Sequence, residues 1–147
     1  MLTIHTRAPD FTLPDHTGTM HTLSQYQGKF VLLYFYPKDD TPGCTKEACS
    51  LRDSAESYTE NNIVVLGVSK DSTLSHEKFI SKYSLPFTLL SDAKSEVIDL
   101  YHADGIILPK RISYLISPNG EIEKIYTNVK PETHATEVLA DVALLGK

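Results

Sequence analysis

The sequence predicts an α/β sandwich, a mixed β-sheet held between layers of helix. Three observations predict it. Short apolar runs, continuous in hydrophobicity as strands covered on both faces are, alternate with segments of helical spacing. Two late strand-like runs flank Pro118-Asn119-Gly120, and Asn-Gly in that setting is the strongest short hairpin signal. No repeat, low-complexity tract or linker divides the chain, so its 147 residues read as one domain, 1–147.

Taken in order, Phe11-Thr12-Leu13 and Met20-His21-Thr22-Leu23 flank the turn-rich Asp15-His16-Thr17-Gly18 and predict a short hairpin. Ser24 to Gly28 predicts a brief helical turn. Phe30 to Tyr36 is a buried strand. A helix is expected from about Thr41 to Glu60, with Thr41 as N-cap and Pro42 at the first helical position. At 100° per residue, Ala48, Leu51, Ala55 and Tyr58 fall within about 40° of Cys44, whereas Cys49 lies about 140° away on the polar side with Asp53 and Glu56. Ile63 to Ser69 is a second buried strand. Ser72 to Tyr83 is helical, with Leu74, Phe79, Ile80 and Tyr83 as its apolar stripe. Pro86 to Leu90 is a third strand, Ser95 to Tyr101 a short helix, and His102 to Lys110 irregular. Ile112–Ile116 and Ile122–Tyr126 form the late hairpin, and Glu132 to Leu145 a closing helix with Val138, Leu139, Val142 and Leu145 apolar.

Composition narrows the function. Hydrophobic residues make up 41% of the chain and charged residues 22%, as in an ordinary globular protein. No apolar run approaches the roughly 18 residues of a membrane span, and Met1 to Arg7 lacks a signal peptide's apolar core, so the expected address is cytoplasmic. A net charge of -5, with no basic cluster longer than Lys110-Arg111, argues against nucleic acid as a partner. The six histidines are scattered with no two at ligand spacing, and two sulfurs alone do not complete a zinc site, so no metal is expected.

Both cysteines, Cys44 and Cys49, lie just after the first buried strand. In a reducing compartment such a pair points to catalysis or metal binding. The thiolate is the reactive form. Cys44 sits in the first turn of the expected helix, where unpaired N–H groups and the helix dipole favour negative charge. Lys38, Lys46 and Arg111 are the candidate cations. Arg111 opens a strand, and strand ends and helix starts gather functional groups in such sheets. Thr41, one turn before Cys44, is placed to face whatever the thiol attacks or simply to cap the helix. Pro42 and Gly43 let backbone approach a ligand closely or simply start a helix. Residues five apart in a helix have Cα atoms roughly 8–9 Å apart, against about 4.4–6.8 Å for a disulfide. If the two cysteines pair, the first turns of the helix must unwind; otherwise they are independent thiols. Two intervening residues, the thioredoxin-type redox spacing, are not what separates them.

Pro37-x-x-x-Thr41-x-x-Cys44 resembles the active-site signature of the peroxiredoxins, and Thr41-Pro42-Gly43-Cys44-Thr45-x-Glu47-x-Cys49 is similar to their Q-type, or bacterioferritin-comigratory, branch. Ala8 to Asp15, Leu85 to Asp92 and Arg111 to Ile116 are similar too, in family order. The resemblance implies a thioredoxin-like fold with an N-terminal hairpin extension. It implies a thiol peroxidase acting on hydrogen peroxide and organic hydroperoxides without cofactor. Cys44 would be the peroxidatic cysteine and Cys49 the resolving one. Thr41 would hydrogen-bond the peroxide, Pro42 would shield the thiolate, Arg111 would sit over it, and Pro37 and Gly43 would complete the pocket. An intrachain Cys44–Cys49 disulfide would be reduced by thioredoxin or a similar dithiol protein, in a monomer or weak dimer. A peroxide sensor relaying oxidation to a partner, or a disulfide oxidoreductase, are the alternatives. Between Tyr101 and Arg111 the chain has only His102 to Lys110, where many relatives carry a longer tyrosine- and glycine-containing segment; the pocket rim, substrate range and any dimer contact there do not carry over.

Overall fold

A computed structural model describes residues 2–145. The N-terminal hairpin pairs β1 (Thr12–Pro14) with β2 (Met20–Thr22) in antiparallel register. Its turn is tied by Asp15, whose Oδ1 accepts from the amides of Thr17 and Thr19 and from the Thr17 hydroxyl. A 3₁₀ turn over Leu23–Tyr26 leads to β3 (Phe30–Phe35). The remaining strands are β4 (Ile63–Ser69), β5 (Thr88–Ser91), β6 (Ile112–Ile116) and β7 (Ile122–Tyr126). They form one sheet in the order β5-β4-β3-β6-β7. β3 and β5 both run parallel to β4, while β6 and β7 are added antiparallel. This is the mixed sheet the sequence predicts, and the hairpin turn closes at Gly120, whose φ is +86°.

β3 is central, and its residues alternate between two cores as a period of two requires. Val31, Leu33 and Phe35 enter one core with the N-terminal hairpin, Val97 and Ile98 of α4 (Glu96–Leu100), and Tyr101. Leu32 and Tyr34, followed by Tyr36, enter the other with Cys44, Ala48 and Leu51. Three further helices join that second core through Tyr58, Phe79 and Val138. Burying a side chain such as Leu32 or Leu33 fully stabilises the fold by about 1.5–3 kcal/mol each.

Three helical expectations are corrected. The expected helix from Thr41 to Glu60 is two helices, α1 (Pro42–Asp53) and α2 (Ala55–Glu60), broken at Ser54 with φ −99° and ψ 4°. The Ser54 amide is shared among the carbonyls of Ser50, Leu51 and Arg52. Asp53-Ser54 is a weak helical pair because such side chains compete with the backbone. Beyond the break α2 buries Tyr58, whose hydroxyl donates to the carbonyl of Ala135 at 2.8 Å. In α3 (Thr73–Tyr83) the expected Phe79, Ile80 and Tyr83 pack on the core, but Leu74 is 58% exposed and the buried His76 takes its place on that face. The closing helix α5 (His134–Leu145) buries Val138 and Val142 but leaves Leu145 exposed at its end.

Candidate active site

The end of β3 delivers the chain into Pro37–Thr41 and then α1, so the helix starts at the edge of the sheet beside the start of β6. Pro42 occupies the first helical turn, as expected, and is exposed. Thr41 does not cap with its side chain. Its Oγ1 donates to the carbonyl of Lys38 at 2.8 Å, which closes the preceding loop rather than the helix. Pro37 is half-buried at the start of that loop.

Cys44 is 2% exposed, on the helix face turned to the core, and Cys49 is half-buried on another face; both are free thiols. Arg111, distant in sequence, reaches the thiol: its Nη2 donates to Cys44 Sγ at 3.3 Å and its Nη1 to Glu47 Oε1 at 2.7 Å. Gly43 makes that approach possible. A Cβ at 43 would lie 2.9 Å from Arg111 Nη2, closer than non-bonded atoms tolerate. The other two candidate cations are elsewhere: Lys38 is exposed, and Lys46 faces Glu132 at 3.6 Å on the surface.

Glu47 is the residue that sequence reasoning quoted but gave no role. Its side chain is 1% exposed, and desolvation raises its carboxyl from 4.5 to about 7 although the Arg111 charge and hydrogen bond pull the other way. Oε2 has no hydrogen-bond partner among the described residues. A signal was available: at three residues past Cys44 it lies only about 60° from the thiol on the helix wheel, and a carboxylate inside a buried arc needs a cation. Burial also raises the Tyr34 hydroxyl well above the ordinary phenol range, reinforced by the charges of Glu47 and Cys44. For Arg111, burial opposes its charge, but the facing Glu47 and Cys44 outweigh that and raise its basicity. The site is thus a half-buried cation shared by a buried carboxylate and a buried thiol on successive turns of one helix.

The segment before Arg111 turns tightly at Gly105, where a Cβ would collide with the Leu108 carbonyl. It exposes Ile106 and Ile107 and buries Pro109, and all its peptide bonds are trans. Beside Arg111 an open depression is lined by His102, Lys110, Thr127, Asn128 and Val129. Among the described residues no group of three or more His, Cys, Asp or Glu could hold a metal ion, and no helix is long and apolar enough to cross a membrane.

This arrangement agrees with a family model: residues 4–125 match the AhpC/TSA family. The chain belongs to that family. A putative peroxiredoxin bcp from Coxiella burnetii is 45% identical over 144 residues, covering 90% of this chain and 93% of the relative. A mutant PrxQ from Xylella fastidiosa superposes with a TM-score of 0.96 at 30% identity, over 100% of this chain and 99% of that one. The bacterioferritin comigratory protein of Xanthomonas campestris, solved in work on its alkyl peroxide reduction activity, superposes at 0.88 and 30% identity, over 93% and 92% of the two chains. The fold is therefore thioredoxin-like, the branch is the Q-type, and the chain is a thiol-dependent peroxidase.

Proposed function

We propose that Cys44 is the peroxidatic cysteine of this enzyme and Cys49 its resolving partner. The observation that carries this is the 3.3 Å contact from Arg111 Nη2 to the buried Cys44 Sγ, made across 67 residues of sequence. A guanidinium there is in place to hold charge as it develops on the peroxide oxygens. The Thr41 hydroxyl, its proton committed to Lys38, keeps lone pairs for the O–H of a hydroperoxide. Pro42 and Gly43 supply the backbone lip of the pocket, and Pro37 starts the loop beneath it.

In the first step the Cys44 thiolate attacks one oxygen of ROOH. The O–O bond breaks, the attacked oxygen and its hydrogen stay on Cys44 as the sulfenic acid, and the second oxygen leaves, taking a proton from solvent, as water or an alcohol. In the second, the Cys49 sulfur attacks the Cys44 sulfur, a disulfide forms and water departs. An external dithiol protein of thioredoxin type then reduces the disulfide by exchange, giving up two electrons and two protons. Since α1 runs unbroken through both cysteines, its first turns must unwind for the second step. Organic hydroperoxides join hydrogen peroxide as substrates, in line with the alkyl peroxide activity named for the Xanthomonas protein. Free thiols suit a reducing, cytoplasmic setting, and a monomer or weak dimer suffices because both thiols lie on one chain.

Stopped-flow oxidation by hydrogen peroxide and by an organic hydroperoxide, followed by thioredoxin recycling, tests the assignment. Cys44→Ser should consume no peroxide, while Cys49→Ser should complete one fast turnover and stop. Equal turnover by the Cys44→Ser protein would overturn it.

A further inference from the structure

The loop that delivers Cys44 is fastened by a second buried polar cluster, built from α3 and separate from Arg111. Asp39 is 8% exposed and His76 is 0% exposed. Asp39 Oδ1 accepts from the Tyr36 hydroxyl at 2.6 Å, and Oδ2 accepts from Ser75 Oγ at 2.8 Å and lies 2.7 Å from His76 Nδ1. His76 Nε2 lies 2.9 Å from the carbonyl oxygen of Leu90. Both carboxylate oxygens and both ring nitrogens are thus engaged, and the Tyr36 hydroxyl also lies 3.4 Å from His76 Nδ1. The Asp39 amide in turn donates to Asp71 Oδ2 at 2.9 Å. The next residue, Asp40, holds Lys82 and Tyr83 of α3.

Downstream of Cys49 the chain is fastened again. Ser50 Oγ donates to the carbonyl of Glu132, Arg52 Nη1 to that of Tyr83, and Leu51 is in the core. Between these points lie residues 42–49. Apart from the exposed Lys46–Glu132 pair, their side-chain bonds to distant parts of the chain, among the described residues, all end on Arg111.

We propose that the Asp39–His76 pair is a positioning clamp that fixes the upstream end of the segment that unwinds, so that the redox change is confined to residues 42–49. This rests on the reading of Cys44 and Cys49 given above. When Cys44 loses its thiolate charge as the sulfenic acid, Arg111 loses one of its two partners, while the clamp loses nothing. The segment between the clamp and Ser50 is then free to bring the two sulfurs together, and after reduction the helix rewinds from a fixed start.

Amide hydrogen exchange read by mass spectrometry, on reduced protein and on protein whose Cys44–Cys49 disulfide has been verified by mass, tests this. Oxidation should speed exchange in 42–49 and leave the amides of Tyr36 and Asp39 slow. In His76→Phe, fast exchange in the oxidised form should extend back through Asp39. The oxidation rate of Cys44 should fall by on the order of tenfold to a hundredfold, since displacements of about 1 Å cost about that much. His76→Asn, which keeps a donor towards Asp39, should recover part of that rate. If His76→Phe does not fold, Ser75→Ala removes one bond to Asp39 and should show the same extension in weaker form. Absence of the disulfide would overturn the assignment of Cys49. A verified disulfide with Tyr36 and Asp39 already fast in the unmodified chain, or a His76→Phe profile identical to it, would overturn the clamp alone.

Discussion

Two buried pairs of ionisable side chains flank the start of α1, and they are built differently. Arg111–Glu47 is sparse: its carboxylate lies on the helix that carries the thiol and leaves Oε2 without a partner among the described residues, and the Arg111 side chain is 20% exposed. Asp39–His76 is saturated: both carboxylate oxygens and both ring nitrogens are engaged, and the two side chains are 4% and 0% exposed. Buried charges that are fully hydrogen-bonded resist disruption, because removing one partner strands the other; a half-satisfied pair has less to lose. The difference teaches where the enzyme tolerates movement. In the cycle and clamp proposed above, the sparse pair grips the part that must let go, and the saturated pair grips the part that must not.

The largest test of that contrast is Arg111→Leu. It removes the guanidinium from the thiol and leaves Glu47 buried without its cation. Loss of one charge-stabilising donor costs about 10²–10³ in rate, so stopped-flow oxidation of Cys44 should slow by at least that much. A rate within a few-fold of the unmodified enzyme would break the comparison at its sparse end.

A smaller effect tests the carboxyl. Glu47 has its folded-state acidity shifted up, from 4.5 to about 7, so the wound helix holds the proton more tightly than an unwound one. Its stabilising contribution is therefore complete below about pH 4.5 and is lost as pH rises through about 7. Ionising it in place works against the wound state by roughly 3 kcal/mol across that window. Denaturant midpoints measured from pH 4 to 8 should fall with rising pH in the unmodified chain relative to Glu47→Gln. Parallel curves for the two proteins would contradict the shift. The smallest expected effect is Lys46→Ala. The exposed Lys46–Glu132 pair should change stability by no more than about 0.5 kcal/mol by denaturant unfolding. A loss well above that would mean that residues 42–49 have a second hold besides Arg111.

Much of this was legible in the sequence where one local signal decides the outcome. The continuous run from Phe30 announced the central strand, Asn119-Gly120 the late hairpin, and the helix wheel placed Cys44 inward and Cys49 away from it. What escaped needed partners from distant segments. Arg111 could be ranked as a candidate, but its reach to Cys44 depends on β6 lying beside β3 and on the missing Cβ of Gly43. Thr41 is the N-cap residue, as its type suggests, but its hydroxyl is taken by the Lys38 carbonyl and not by the helix amides. His76 gave no sign of being core, since Leu74 nearby offered a more apolar choice for the stripe. Only the Asp39 carboxylate beneath it makes a histidine the better occupant.

The break at Ser54 has a consequence for how far the redox change travels. A helix running unbroken from Thr41 to Glu60 would propagate fraying cooperatively along its length, because each turn templates the next. The interruption ends that cooperative unit after Asp53. Tyr58, fixed to Ala135 from α2, belongs to a separate unit of local stability. In the cycle proposed above, unwinding at the start of α1 is therefore a sub-global event that stops short of Tyr58 and the helices behind the sheet.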